Sequence, residues 1–266
     1  MTKIITSLQN PMVKNLLLLQ EKARVRKDQD LIVVEGVREI NLAIASGFVM
    51  TSLFYLPAIF PKEMLDELTQ NIVSEPIEVS AEVFDRVAYR KGSGGVIALF
   101  RPKWLNLSDI RKCPTPLILV LETVEKPGNL GALLRTADAA ALDAVIVCDP
   151  QTDLYNPNAI RSSLGCIFTL PVVVSSSAEV IDWMKSHSIR TFGTALTAKK
   201  YYQDCDFTTA SAIIMGSEAF GLSKTWLEQA DELIKIPMMG KVDSMNVSVS
   251  AAIVVFEAKR QRDFRK

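Results

Sequence analysis

The sequence predicts an α/β protein in which a small mixed domain precedes a larger domain built on a parallel sheet. Hydrophobic residues make up 48% of the chain and charged residues 23%, which is typical of globular proteins. A length of 266 residues is enough for two modest domains. Residues 101–116 contain three prolines, and proline disfavours helices and central strands. We therefore predict a first domain over 1–104, a linker over 105–115 and a second domain over 116–266.

The first domain mixes helical and strand-type segments. Pro11 stands in the first turn of a helical pattern, where proline is tolerated, and Gly47 follows another helical pattern as its C-cap. Short runs rich in β-branched residues predict the strands. The predicted elements are a helix over 10–19, a strand over 31–36, a helix over 37–46, and strands over 49–56 and 96–100.

The second domain has a regular order of strands and helices. An apolar run at 117–121 precedes a loop, an Ala-rich helix over 130–141 and a strand over 145–148. A β-α-β unit of this length builds a parallel sheet with helices on its faces. Apolar and polar residues alternate over 247–250, as they do in a strand. The two alanines that follow and the unbroken length to residue 262 nevertheless predict a final helix over 246–262. The other elements are helices near 158–165 and over 178–185 and 224–230, and strands over 171–174, 191–195, 213–215 and 233–236.

The composition disfavours several kinds of site. The single histidine, His187, lies in a polar stretch and is interpreted as solvated. The cysteines lack C-x-x-C spacing, so we predict reduced, buried thiols and no metal site. Neither G-x-G-x-x-G nor a Walker A sequence occurs, which disfavours a cofactor held by its phosphates. No signal peptide is recognised and no apolar run reaches the roughly 18 residues of a membrane span, so we expect no membrane partner and a cytoplasmic protein.

Ligands of open parallel sheets bind beyond the carboxyl ends of the strands. The predicted loops at that edge cover 122–129, 194–199, 216–223 and 237–246. Each polar candidate near them also has a plain structural explanation: a helix cap for the asparagines and the serine, a surface position for the arginine and a solvated turn for the glutamate. The candidates are Asn129, Arg135, Glu218, Ser244 and Asn246.

Taken together, three segments resemble a known family. Residues 129–137, 214–223 and 236–249 resemble, in order and spacing, the three motifs of the SpoU-type (TrmH-like) RNA ribose 2′-O-methyltransferases. Residues 34–38 and 94–98 resemble marks of the substrate-binding domain that often precedes that catalytic domain. The resemblance implies a parallel-sheet α/β-knot catalytic domain with a C-terminal trefoil knot, preceded by a small α/β RNA substrate-binding domain. It also implies S-adenosyl-L-methionine as cofactor and a homodimer formed through the catalytic domain.

The resemblance assigns roles to individual residues. It gives the proton-accepting role to Arg135, but a guanidinium pKa above about 12 keeps that group protonated. We therefore interpret Arg135 as positioning the nucleotide and stabilising charge near its phosphate. Met245 stands where the family commonly has Leu, an exchange of similar volume. The other residues that match site-shaping polar positions are Asn129, Glu218, Ser244 and Asn246; those that match cofactor-contacting positions are Gly216, Ile236 and Met245, with Thr194 in a loop expected to close over the cofactor.

The preferred hypothesis is a methyltransferase acting on a ribose 2′-hydroxyl of structured RNA. The extra N-terminal domain favours ribosomal over transfer RNA, because that arrangement is common among the family's ribosomal RNA enzymes. The alternatives are a tRNA ribose methyltransferase, a base-methylating enzyme of the same group, a catalytically silent RNA-binding protein of the same fold, and an unrelated nucleotide-binding oxidoreductase. Methyl transfer from a sulfonium needs no metal, thiol or histidine, which agrees with the composition.

Net charge does not exclude RNA as a partner. The chain has 30 basic and 30 acidic residues, and residues 1–104 hold 13 of the basic and 12 of the acidic ones. Binding to phosphates follows local contacts, so a few placed cations are sufficient. Solvated faces are the alternative explanation for each basic cluster. The clusters are Lys14, Lys22, Arg24, Arg26 and Lys27; Arg86, Arg90 and Lys91; and Lys259, Arg260, Arg262, Arg265 and Lys266.

Overall fold

A computed structural model describes residues 3–72, 74–89 and 94–265, and the chain divides into two compact units. Unit 1 comprises Met1–Lys103 together with Tyr155–Thr169, and unit 2 comprises Trp104–Leu154 and Leu170–Lys266. The segment Tyr155–Thr169 lies inside the predicted second domain, yet it packs with unit 1. The chain therefore passes between the two units more often than a simple pair of consecutive domains would require.

The elements follow the predicted order, with several short additions. The first part of the chain contains β1 (Lys3–Ile5), α1 (Pro11–Glu21), α2 (Ala23–Gln29), β2 (Ile32–Glu35), α3 (Val37–Ala45), β3 (Met50–Tyr55), α4 (Lys62–Thr69), β4 (Ile77–Val79), α5 (Ala81–Val87) and β5 (Val96–Phe100). The second part contains β6 (Leu117–Glu122), α6 (Pro127–Ala139), β7 (Ala144–Cys148), α7 (Pro157–Ser162), α8 (Cys166–Thr169), β8 (Val172–Ser175), α9 (Ser177–Ser186), β9 (Arg190–Thr194), β10 (Lys200–Tyr201), β11 (Ser211–Met215), α10 (Lys224–Gln229), β12 (Glu232–Lys235) and α11 (Val247–Gln261).

Unit 1 is organised around a five-stranded mixed sheet in the order β1-β4-β3-β5-β2. Strands β1, β4 and β3 run parallel, whereas β5 is antiparallel to both of its neighbours. Helix α1 begins as its sequence predicts, because Asn10 Oδ1 accepts a hydrogen bond of 2.9 Å from Met12 N and Pro11 occupies the first turn. Its buried face packs on the sheet through Val13, Leu16 and Leu19.

Segment Tyr155–Thr169 completes the core of unit 1. The ring of Phe48 lies 4.9 Å from that of Phe168 and 6.3 Å from that of Tyr155, both in edge-on geometry. A Cβ atom added to Gly165 would lie 2.8 Å from Leu42 Cδ1, so the segment approaches α3 closely. Unit 1 is therefore built from two stretches of chain.

Unit 2 contains a seven-stranded sheet in the order β10-β12-β9-β11-β6-β7-β8, and all of its strand pairs are parallel. Every residue of β6, β7 and β11 is buried, which is the pattern of strands covered on both faces. The predicted parallel sheet is confirmed. Trp226 is fully buried beside it and donates from Nε1 to Ser177 Oγ at 3.0 Å.

The predicted linker residues pack on unit 2. Leu105 forms an isolated parallel bridge with Val173, and Leu107–Asp109 form a 3-10 turn. Ile110 is 7% exposed and belongs to the hydrophobic core beside the sheet. The region that sequence analysis interprets as a linker is therefore ordered against the sheet.

Helix α11 runs from the carboxyl ends of the strands to their amino ends. Asn246 caps its start, and the Arg262 guanidinium at its end donates to the carbonyl oxygens of Phe207 at 2.7 Å and Thr115 at 2.6 Å. Those carbonyls precede β11 and β6, so the end of α11 lies at the amino edge of the sheet. The helix prediction for this segment is confirmed over the strand alternative. None of the described helices has the length and apolar character needed to cross a membrane.

Candidate active site

Sheet order brings the predicted ligand-binding loops together. Strands β12, β9, β11 and β6 are consecutive neighbours and parallel, so their carboxyl ends lie along one edge. Thr194 ends β9, Gly216 follows β11 and Ile236 follows β12. The helices α6 and α11 begin at the same edge. Four loops that are far apart in sequence therefore lie along one edge of the sheet.

Asn129 and Asn246 are in direct contact. Asn246 Oδ1 accepts from Ser248 N at 2.9 Å, and its Nδ2 donates to Asn129 Oδ1 at 3.3 Å. Asn129 is the third residue of α6, whose N-cap is Lys126, so the cap explanation holds for Asn246 and is wrong for Asn129. Asn129 Nδ2 is buried and bonds to none of the described residues. A buried amide donor without a partner is costly, which favours a bound ligand as its acceptor.

Glu218 forms an ion pair with Lys126. The Glu218 side chain is 27% exposed and that of Lys126 is 66% exposed. The hydrogen bond that the Lys126 ammonium donates to Glu218, and then the negative charge of Glu218, raise the pKa of Lys126. Sequence analysis missed Lys126, although a lysine three residues before Asn129 in a ligand-binding loop was an available signal.

A buried carboxylate fixes the loop that carries Glu218. Glu122 is 3% exposed, ends β6, and accepts from Ser223 N at 2.8 Å. Its position as the only charged residue in the run Leu117–Glu122 is the signal that sequence analysis did not use. Glu122 joins the end of β6 to the start of α10, so the loop between β11 and α10 is held against its neighbouring strand.

The glycines around Glu218 are required by the shape of the loop. Ser217 and Gly221 exchange two backbone hydrogen bonds of 3.0 Å, and Gly221 has a φ of +69°. A Cβ atom on Gly216 would lie 2.2 Å from the Gly221 carbonyl carbon. The loop is therefore closed at its base, and Glu218 and Phe220 lie on its tip.

Thr194 is the last residue of β9 and not part of a loop as predicted. Its Oγ1 donates to Ile214 O at 2.9 Å, which joins β9 to β11 at the site edge. Ile236 and Met245 are partly buried. Ser244 is exposed and has no hydrogen bond to the residues that the structure describes. Thr194 is thus fixed by the sheet, whereas Ser244 is available to a ligand.

Arg135 lies apart from the other candidates within one chain. It is exposed and pairs with no residue among those described. It follows Asn129 by six residues on α6, so the two side chains leave the helix about 120° apart and about 9 Å apart along its axis. One chain therefore assembles Asn129, Asn246 and Glu218 but leaves Arg135 on another face of α6.

A narrow cleft lies between the ends of β6 and β11. Its walls combine five apolar side chains with Ser217 and three glutamates, and they include the backbone of Gly216. In the described residues no cluster of His, Cys, Asp or Glu is suited to a metal ion. Apolar side chains together with carboxylates are compatible in their chemistry with S-adenosylmethionine, a cationic, phosphate-free cofactor. The lining residues are Leu121, Glu122, Val124, Glu125, Leu133, Met215, Gly216, Ser217, Glu218 and Val247.

The predicted basic clusters are partly structural. Arg26 is 4% exposed and donates to Leu19 O at 2.6 Å, and Lys259 is 7% exposed and donates to Arg265 O at 2.5 Å. Arg260 pairs with Glu257 on its own helix. The other exposed members in the described residues are Lys14, Lys22, Arg24, Lys27, Arg86 and Arg265. Arg90, Lys91 and Lys266 lie outside the described residues.

Comparison with known proteins settles the family. Residues 116–256 match the SpoU rRNA Methylase family, and residues 10–98 match the MRM3-like substrate binding domain. The chain belongs to the SpoU rRNA methylase family. The family predicted from the three motifs is thereby confirmed. The SpoU match includes Tyr155–Thr169, which packs with unit 1.

Relatives of the SpoU family resemble this chain over most of its length. It is 30% identical over 258 residues to the 23S rRNA (guanosine(2553)-2'-O)-methyltransferase RlmP of Bacillus subtilis, covering 97% of this chain and 99% of that one. It is 37% identical over 191 residues to the 23S rRNA (guanosine-2'-O-)-methyltransferase RlmB of Vibrio vulnificus, covering 70% and 77%. The structure of the SpoU methyltransferase AviRb from Streptomyces viridochromogenes with AdoMet has a TM-score of 0.89 at 28% identity, covering 96% and 99%.

Proposed function

We propose that this SpoU family member transfers a methyl group from S-adenosylmethionine to a ribose 2′-hydroxyl of ribosomal RNA. The observation that carries the proposal is the contact between Asn129 and Asn246, which joins the first and third family motifs at the carboxyl edge of the sheet. The Lys126–Glu218 pair adds the second motif to the same edge. The names of the relatives, which specify 23S rRNA, favour ribosomal RNA as the first substrate to test.

The chain's own residues position the substrate. When bound, S-adenosylmethionine supplies a methyl group activated by a sulfonium, so alignment of the ribose hydroxyl is the main demand on the protein. The free Asn129 Nδ2 donates to an oxygen of the target nucleotide, and Asn246 fixes the orientation of that amide. Ser244 is free to bond the same nucleotide, and Glu218 accepts from it while paired with Lys126.

We assign the cofactor to the cleft between β6 and β11 and to the adjacent ends of β9 and β12. Gly216, Ile236 and Met245 contact it, and Thr194 stabilises the strand end beside it. Support comes from the position of Gly216 in the lining of the cleft and from the partly buried state of the other two residues. The relative AviRb binds AdoMet on a similar fold.

We further propose a homodimer in which Arg135 of one subunit serves the site of the other. Arg135 is exposed, unpaired among the described residues, and on a different face of α6 from Asn129. Exposed apolar side chains on α11, Val249 at 48% and Phe256 at 41%, support an interface near these helices. The trefoil knot and the cytoplasmic location are also proposals, and they rest on the family resemblance.

The test is methylation of unmodified RNA with labelled S-adenosylmethionine, followed by nuclease digestion and mass spectrometry. Unmodified 23S rRNA, 16S rRNA and tRNA are offered separately. We expect one labelled ribose in ribosomal RNA. A label found only in tRNA supports the tRNA alternative, and a label on a base contradicts the ribose assignment. RNA binding without transfer by a cofactor-saturated protein favours the silent binding protein.

A further inference from the structure

We propose that Phe220 is a stacking platform for an unpaired base of the RNA substrate at the reaction edge. The proposal rests on the proposed function, because an RNA substrate is what brings bases to this edge. Phe220 is 90% exposed, against 61% for Phe264 near the chain end. Single exposed hydrophobic residues are common on protein surfaces. Phe220 differs from them in its support and in its place.

The loop fixes the backbone of Phe220. The two backbone hydrogen bonds between Ser217 and Gly221 close its base, and Phe220 N donates to Ser217 Oγ at 3.1 Å. The loop is flanked by Met215 at 3% exposure and Leu222 at 6%, so both ends are anchored in the core. An aromatic side chain has only two rotatable bonds, and on a fixed backbone it loses little entropy when it binds a flat partner.

The neighbours of Phe220 are those of an RNA site. Glu218, two residues before it, pairs with Lys126, which caps the helix of Asn129. Exposed lysines lie on the adjoining segments: the Lys126 side chain is 66% exposed and pairs with Glu218, and the Lys224 side chain is 86% exposed and pairs with Glu228. Lys241 is exposed and has no ion pair within the described residues. Phe220 is thus an exposed aromatic ring at an edge that carries exposed lysines as well as the exposed apolar side chains of Met239 and Val242.

The chemistry of RNA recognition fits such a ring. Sequence-specific and modifying proteins contact nucleotides whose bases are unstacked, and they stack those bases on aromatic side chains. Transfer to a 2′-hydroxyl requires the ribose to be held still, and a stacked base on the same or the next nucleotide restrains that ribose. A Phe face accepts every base, so we expect Phe220 to contribute affinity and positioning with little preference for base identity.

The experiment compares Phe220→Ala, Phe220→Leu and Phe220→Trp with Phe264→Ala, a matched loss of an exposed phenyl ring. Base stacking contributes about 1–3 kcal/mol, so we expect the KM for RNA to rise about 5- to 150-fold in the Ala variant. The Leu variant should behave like Ala, and the Trp variant should retain activity. The Kd for S-adenosylmethionine should not change. Once the target is mapped, 2-aminopurine placed at or beside it should be quenched by the wild type and not by Phe220→Ala.

The outcomes separate this inference from the proposed function. If the wild type transfers no methyl to any RNA, the proposed function fails. If it transfers methyl and Phe220→Ala equals Phe264→Ala in KM and quenching, only the stacking proposal fails. A loss of S-adenosylmethionine binding in Phe220→Ala would show that the ring covers the cofactor. A shift to monomer in light scattering would show that it covers a second copy of the chain. Either of these results overturns the assignment to RNA.

Discussion

The Asn246 side chain donates from Nδ2 to the Oδ1 of Asn129 at 3.3 Å, across 117 residues of sequence. This bond orients the Asn129 amide and leaves its Nδ2 buried without a partner among the described residues. The two asparagines therefore act together, with one as the donor to the ligand and the other as its support.

The exchange Asn129→Asp tests the free amide donor. It keeps an acceptor for Asn246 but removes Nδ2, so we expect transfer to fall about 100-fold or more, as when a preorganised donor is lost. Cofactor affinity, measured by calorimetry, should change little. Asn15→Asp on the exposed face of α1 serves as the control. Activity close to that of the wild type in Asn129→Asp would exclude a role for the donor.

Replacement of Arg135 tests both its role and the shared site. Arg135→Ala should abolish transfer and leave S-adenosylmethionine binding nearly intact, because Arg135 lies away from the cofactor cleft. In a dimer with composite sites, mixing subunits of Arg135→Ala and Asn129→Ala should restore about a quarter of wild-type activity after subunit exchange. The measurement is methyl transfer before and after mixing. No recovery from dimers shown to be mixed would contradict the composite site.

Gly216→Ala should damage the cofactor cleft. The added Cβ would lie 2.2 Å from the backbone of Gly221, so the two backbone hydrogen bonds between Ser217 and Gly221 must break. We expect at least a tenfold weaker Kd for the cofactor and a lower melting temperature. Gly128→Ala is the control: its Cβ meets no atom within 4 Å, and Ala should stabilise α6 by up to about 1 kcal/mol. Unchanged cofactor binding in Gly216→Ala would show that the loop adapts.

Because of the Cys148 thiol, we expect the stability of the protein to decrease at alkaline pH. Burial, and then the Asp149 carboxylate, raise its pKa from 9.0 to about 12. The folded state therefore keeps a proton that the unfolded state loses, so this contribution is full below pH 9 and declines as the pH rises toward 12. Unfolding midpoints measured from pH 8 to 11 should fall less steeply for Cys148→Ala than for the wild type.

Native-state labelling gives an independent check of the same thiol. At pH 8 an alkylating reagent should modify the partly exposed Cys113 and spare Cys148, which mass spectrometry can resolve. Rapid modification of Cys148 without unfolding would contradict its buried, protonated state.

Arg262→Ala should destabilise unit 2. Burial lowers the pKa of the guanidinium, yet it remains charged at neutral pH and donates to the carbonyls of Thr115 and Phe207. Loss of these bonds should reduce the free energy of unfolding by about 2–4 kcal/mol in urea titrations. Arg265→Ala, whose side chain is 82% exposed, should have little effect. Equal stability of the two variants would show that the carbonyls find other partners.

Sequence alone predicted the sheet of unit 2 well, because buried parallel strands are continuous apolar runs. It missed β1 and β4, which have only three residues each and carry too few positions for a pattern. The candidate site residues came from the motifs. Lys126 lies in a predicted ligand-binding loop, but its pairing with Glu218, 92 residues away, is encoded by no local pattern.

The sequence pattern also did not predict that Tyr155–Thr169 packs with unit 1. The contacts of Phe48 with Tyr155 and Phe168 are long-range, and their residues look like ordinary core positions in either domain. Hydrophobic periodicity shows which face of an element is buried, but it does not show which other element packs against that face.

That packing limits how the two halves can be exchanged between family members. A graft that swaps only the first hundred residues would separate Phe48 from Phe168 and α3 from Gly165. The incoming domain would then meet a foreign pair of short helices, and its core would be incomplete. Engineered chimaeras should therefore succeed when residues 155–169 are transferred together with the N-terminal part, because unit 1 is formed by two separate stretches of sequence.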